Sequence, residues 1–228
     1  NYDGAGYNIA IGYDAGKAVT TGIQNTLIGG LAGDALTDAN NNIAIGYLAL
    51  TTETSGGNNV AIGVTALQQS NGGTYNVAIG RDSGQQVTTG DHNTFVGAQS
   101  GDSVTTGEQN TVIGYEALSA EDTGSRNVAV GYRALKDQNY DGQAYNVAMG
   151  HNAAANITTG TFNTIIGGNA GDALTTSVHN VAVGYQALSA EDTNSYNTAL
   201  GFQALLVQDG GQLNTAVGYK AGDSVTDG

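Results

Sequence analysis

Apolar and polar positions recur along this chain with a period of 17 residues, and the phrase that marks the period is Asn8-Ile9-Ala10-Ile11-Gly12. Its Asn returns at Asn25, Asn42, Asn59, Asn76, Asn93, Asn110, Asn127, Asn146, Asn163, Asn180, Asn197 and Asn214, at steps of 17 residues except one of 19. With that Asn as position 1, position 2 is Val, Ile or Thr in all thirteen copies, position 4 is Ile, Val, Leu or Met, and position 5 is always Gly. β-Branched residues at period two predict a short strand, and the Gly allows a sharp bend at its end. A strand that returns at a short fixed period predicts a solenoid. The expected fold is therefore all-β, a parallel β-solenoid of about thirteen 17-residue coils, forming one repeat domain over residues 1–228 without a linker.

Position 3 points to the opposite face of the strand from positions 2 and 4, yet it too is apolar: Ala in nine copies, and Leu27, Phe95, Val112 and Ile165 in the others. Both faces of the strand therefore call for burial. A 17-residue coil wraps only a thin core on one side, so a second and third copy of the chain are the economical cover for the other. Position 3, including Ala44, Ala61, Ala78, Phe95, Ala129, Ile165 and Ala182, is therefore expected at an interface between chains in a homotrimer. Positions 1 to 5 carry no charge in any copy, which fits a strand lying between a private core and a shared surface.

The second half of the coil shows an exchange of volumes. Where position 9 is Gly or Ala, position 12 is aliphatic, as in Gly16 with Val19, Gly33 with Leu36, Gly84 with Val87, Gly101 with Val104, Ala154 with Ile157, Gly171 with Leu174 and Gly222 with Val225. Where position 9 is Leu, position 12 is polar, as in Leu50 with Glu53, Leu67 with Ser70, Leu118 with Glu121, Leu135 with Gln138, Leu188 with Glu191 and Leu205 with Gln208. One aliphatic plug per coil, supplied from either of two corners, keeps the core volume constant. The order Gly, Gly, Leu, Leu gives a super-repeat of four coils. In such a stack Asn25, Asn42, Asn59, Asn76, Asn93, Asn110 and Asn127 are expected to form a structural ladder of hydrogen-bonded side-chain amides.

Charge narrows the partners. Twenty acidic residues against six basic ones give a formal charge of −14, which repels nucleic-acid backbones and anionic membranes. No apolar run is long enough to span a bilayer, so the segment is not expected to insert into a membrane. Cysteine is absent, which removes disulfides and thiolate metal sites. Residues 1–7 match residues 139–145, and residues 221–228 stop just before the next Asn is due. The expectation is a segment of a longer array.

Candidate chemistry is sparse. His92, His151 and His179 have no second ligand at a repeated spacing and read as surface residues. No nucleophile elbow or phosphate-binding loop occurs, so the protein is expected not to be an enzyme and to need no cofactor. Acidic residues recur in the loops at Asp34, Asp102, Asp172 and Asp223, and as Glu121-Asp122 and Glu191-Asp192. The four Gly-Asp carboxylates are the candidate Ca²⁺ ligands; the alternative is a solvated face that keeps the fibre soluble. Tyrosines gather at position 6, including Tyr115, Tyr132 and Tyr185, and at position 17, where columns of rings could stack on a ligand such as a sugar or could pack between coils and chains. Thr-Thr-Gly turns at Thr20, Thr88, Thr105 and Thr158 raise ice binding, but they occur in too few coils for a lattice-matched plane.

Asn59 to Gly63 and Asn76 to Gly80, both Asn-Val-Ala-Ile-Gly, resemble the head repeats of YadA-like trimeric autotransporter adhesins. Asn197 to Ala204 and Asn214 to Ala221 resemble the related arrays of phage and bacterial tail-fibre-like proteins. The resemblance spans essentially the whole chain. It implies a left-handed β-roll, three chains side by side, an extracellular setting on a cell surface or virion, and attachment to a host-surface glycan or protein receptor. The coil here is longer than in the adhesin heads. On this reading the chain is a rigid spacer and attachment surface in a trimeric fibre; the alternatives are a structural filament protein that polymerises end to end and an ice- or polysaccharide-binding solenoid.

Overall fold

The computed structural model describes residues 6–190, 193–207 and 211–224. Glu191, Asp192, Gln208 and Val225, and the terminal stretches 1–5 and 225–228, lie outside the described residues, and so do the sequence readings that depend on them. The chain divides into two compact units, Asn1–Asn110 and Thr111–Gly228. Both are built from the same coil, and no helix occurs among the described residues. The protein is thus an all-β parallel solenoid of about thirteen coils.

In the first unit the strands are β1 (Ile9–Ile11), β2 (Thr26–Ile28), β3 (Ile43–Ile45), β4 (Val60–Ile62), β5 (Val77–Ile79) and β6 (Thr94–Val96). Each pairs in parallel with the next, and equivalent positions face each other, as Ala44 faces Ala61 and Ala78 faces Phe95. The second unit holds β7 (Thr111–Ile113), β8 (Val128–Val130), β9 (Val147–Met149), β10 (Thr164–Ile166), β11 (Val181–Val183), β12 (Thr198–Leu200) and β13 (Thr215–Val217), again paired in chain order. The insertion in the 19-residue step leaves the register intact, because Ala129 still faces Ala148.

The core of each coil is formed by positions 3, 8, 9 and 12. Leu50, Leu67, Leu118, Leu135 and Leu188 plug it from position 9, and Leu36, Val87, Val104, Ile157 and Leu174 from position 12; all are fully buried. Position 3 completes the same core. Ala44, Ala61, Ala78, Phe95, Ala129, Ile165 and Ala182 are each 0% exposed within a single chain. This corrects the assignment of position 3 to an interface between chains. The inside of the coil is so narrow that Ala is the usual fit at mid-strand, and larger residues enter where a neighbouring corner is empty. Phe95 lies beside Gly84, where an added Cβ would come within 2.8 Å of its ring, and Leu27 fills the space beside Gly33. Leu27, Phe95 and Ile165 all belong to coils with Gly at position 9, so three positions rather than two share the constant volume.

Backbone geometry at the corners is as regular as the packing. Position 5 must be Gly: Gly29 has φ 134°, and a Cβ there would come within 2.5 Å of the Gly46 carbonyl oxygen. Positions 7 and 17 are left-handed in every coil although no Gly occupies them, as at Leu48 (φ 57°) and Tyr75 (φ 57°). Hydrogen bonds between coils hold these turns. The amide of position 2 donates to the position 1 carbonyl of the next coil, at 2.8 Å for Thr26 to Asn42 and for Thr164 to Asn180.

Candidate functional site: the outward sheet face and its aromatic columns

With position 3 inside, positions 2 and 4 point away from the core. Their aliphatic side chains stay partly open to solvent, with Ile113 at 40%, Met149 at 41% and Leu200 at 45% exposure. Ile43 and Ile79 in the first unit and Ile166, Val181 and Val217 in the second are exposed in the same way. Each sheet therefore carries a strip of β-branched and aliphatic groups on its outer face. Seven strands about 4.8 Å apart make that strip roughly 30 Å long in the second unit.

Columns of rings border the strip on both sides. On the position 6 side of the second unit, Tyr115 stacks on Tyr132 (ring centroids 5.7 Å apart) and Tyr132 on His151 (4.9 Å), while Tyr185 stacks on Phe202 (5.6 Å) and Phe202 on Tyr219 (5.3 Å). On the position 17 side, Tyr145, Phe162, His179 and Tyr196 stack in succession at 5.5, 4.9 and 5.1 Å. Tyr75 and His92 form such a pair in the first unit, 5.1 Å apart. Coil spacing sets these distances, and interplanar angles of 9° to 19° leave the outer edges of the rings in solvent. Arg126 lies over Tyr145 and Arg133 over Tyr132, at 5.5 and 5.0 Å from the ring centroids.

Residue type alone groups the tyrosines and leaves the histidines as surface residues. The structure makes them members of the columns, and Phe162 and Phe202 with them. The signal was in the sequence, since His92 and His179 stand at position 17 and His151 at position 6, the two positions the tyrosines share.

The Asn column has a different task. In Asn25, Asn42, Asn59, Asn76 and Asn93 the side-chain oxygen accepts the backbone N–H of the Asn one coil on, at 2.9 to 3.0 Å. Their amide nitrogens donate to the carbonyl of position 15 in their own coil, as Asn25 does to Ala39 at 2.8 Å and Asn93 to Gly107 at 2.8 Å. Asn127 accepts the Asn146 amide at 3.2 Å, and Asn110 donates its own to Asn93. The amide side chains thus close the coils and link each to the next mainly through the backbone, with direct contacts between amides added at Asn25–Asn8, Asn93–Asn76, Asn110–Asn93 and Asn163–Asn146. The left-handed residue at this corner is the one before the Asn, not the Asn itself.

The loop carboxylates do not converge. Asp34 and Asp102 stand four coils apart in the first unit, and Asp172 and Asp223 three coils apart in the second. Asp34 accepts a hydrogen bond from the Thr51 hydroxyl. Asp172 borders a cavity of about 210 Å³ lined also by Arg133, Lys136, Asp137 and Asn152, and burial pushes its carboxyl above the ordinary value. The two cations there are engaged, Arg133 with Glu116 at 2.6 Å and Lys136 with Asp137 at 2.8 Å. Among the described residues no group of three or more His, Asp or Glu is placed to hold a metal ion. The threonine hydroxyls are used within the fold: Thr20, Thr88 and Thr158 donate to the carbonyl of the residue one coil on.

No family model matches the chain, and neither curated proteins nor solved structures give a significant match.

Proposed function

We propose that this chain is a non-catalytic segment of an extracellular trimeric fibre, a rigid spacer and attachment surface in which three copies of a left-handed roll meet through the outer faces of their sheets. The observation that carries this reading is the uncharged outer strip at positions 2 and 4, β-branched at position 2 and aliphatic at position 4. With its flanking rings it makes a band roughly 30 Å long in the second unit alone, along which the position 4 aliphatic groups Ile113, Met149, Ile166, Leu200 and Val217 stay exposed, a surface suited to a protein partner. Burying it against like strips removes those side chains from water without bringing any charge inside, because positions 1 to 5 contain none. The likeness of the repeat phrase to adhesin heads and tail-fibre arrays supports the choice of three copies and of a surface setting. Tyr115, Tyr132 and Tyr185 remain candidates for contact with a receptor or glycan, because their outer edges stay accessible at the border of such an interface.

The test is the mass of the purified chain in solution by light scattering. About three times 22.9 kDa is expected. A single-chain mass at all concentrations would remove the reading.

A further inference from the structure

We propose that the two ring columns fix the register in which copies of this chain associate, Phe162 of one copy seating in the gap that Gly168 leaves in the column of the next. The inference rests on the reading that copies meet through the strand faces, and it names the contact that aligns them.

Gly168 interrupts the position 6 column of the second unit between His151 and Tyr185. The backbone does not require a glycine there. Gly168 lies outside the left-handed region, and a Cβ would meet only the Tyr185 ring, at 3.5 Å, an ordinary contact. The neighbouring Gly167 is different, with φ 140°. A ring at 168 would therefore suit the single chain and complete the column, yet the column stays open over two coil spacings, about 10 Å, which is the room one further ring needs.

The residue at the same level on the opposite column is Phe162. It is 47% exposed and stands between Tyr145 and His179. Of the four rings in its column it alone has no polar atom, so it alone can be covered without leaving a hydrogen-bonding group unsatisfied. Copies related by rotation about an axis parallel to the coil stack place the position 17 edge of one against the position 6 edge of the next. In register, Phe162 then faces the Gly168 gap. A slip of one coil sets Phe162 against His151 or Tyr185, where the column is already full.

The native chain has no cysteine, so introduced thiols report cleanly. Phe162→Cys chains are refolded together with Gly168→Cys, His151→Cys or Tyr185→Cys chains, their association is checked by light scattering, and linking by a short bifunctional maleimide is timed. Fastest linking at 168 is expected. Associated chains that link fastest at 151 or 185 would overturn the register, whereas chains that stay monomeric would overturn the association reading beneath it, and the mass alone distinguishes these failures. A second arm exchanges the volumes. Gly168→Tyr should weaken association by about tenfold or more, and Phe162→Gly in the same chain should restore it. Undiminished association of the Gly168→Tyr chain would likewise overturn the proposal.

Discussion

At the scale of single residues, the polar side chains at position 12 show how a corner can exchange an aliphatic plug for a buried acid. Glu53 is fully buried, and its carboxylate accepts the amides of Ser55 (3.1 Å), Gly56 (2.6 Å) and Gly72 (2.8 Å) and the Ser70 hydroxyl (2.7 Å). Glu121 repeats the arrangement with Asp122, Gly124 and Tyr140 at 3.1, 2.8 and 3.3 Å. The sequence pattern reads these residues as merely polar, whereas their geometry makes them the internal fasteners of two loops. For Glu121, burial outweighs the hydrogen bonds and lifts the carboxyl above its ordinary value of 4.5. A raised folded value means that the folded chain holds the proton more tightly than the unfolded one. The associated stabilisation is full below the ordinary value and is lost as pH rises through the raised one. Between pH 4 and pH 7 the native chain should therefore lose thermal stability relative to Glu121→Gln, whose side chain does not titrate. Melting curves of both chains across that range check the sign, and a gap that is constant, or that grows in favour of the native chain as pH rises, contradicts it.

At the scale of the coil, the period, the strand and the exchange between positions 9 and 12 were legible in the sequence, because each follows from a residue type confined to one position. The face of the strand that turns inward was not. Period-two alternation says that positions 2 and 4 share a side, but it does not say which side, and β-branched residues suit a strand whichever way they point. The clue lay in Leu27, Phe95 and Ile165, whose bulk coincides with glycine at position 9 and so belongs to the same enclosed volume. The ring columns were half legible for a similar reason: grouping by residue type found the tyrosines, while grouping by position would have added the histidines and phenylalanines. Two substitutions on adjacent coils separate the faces. Ala129→Asp places a charge in a site that is 0% exposed, and it should cost several kcal/mol and unfold the coil. Ile113→Asp lies on the outer strip; it should leave the circular dichroism of the fold unchanged while lowering the mass in solution. Loss of fold in the second variant, or an intact fold in the first, would reverse the assignment of inner and outer faces.

At the scale of the whole chain, association has to overcome charge. Each copy carries a formal charge of −14, and the proposed interface buries no opposite charges to offset it, since the strand positions are uncharged throughout. Attraction then comes from apolar burial, which salt strengthens or leaves alone, and opposition comes from repulsion between acidic loops, which salt screens. The Debye length falls from about 30 Å at 0.01 M ionic strength to about 8 Å at 0.15 M, so loop carboxylates on neighbouring copies cease to feel one another over much of that range. Association should accordingly tighten as sodium chloride rises from 0.01 to 0.15 M, most steeply at the low end. An assembly held by ion pairs would respond in the opposite direction. Sedimentation equilibrium across the salt series reads the difference directly: a dissociation constant that falls with salt fits apolar strips closing against repulsion, and one that rises would mean that the few basic side chains, Arg126, Arg133 and Lys136 among them, hold the copies together instead.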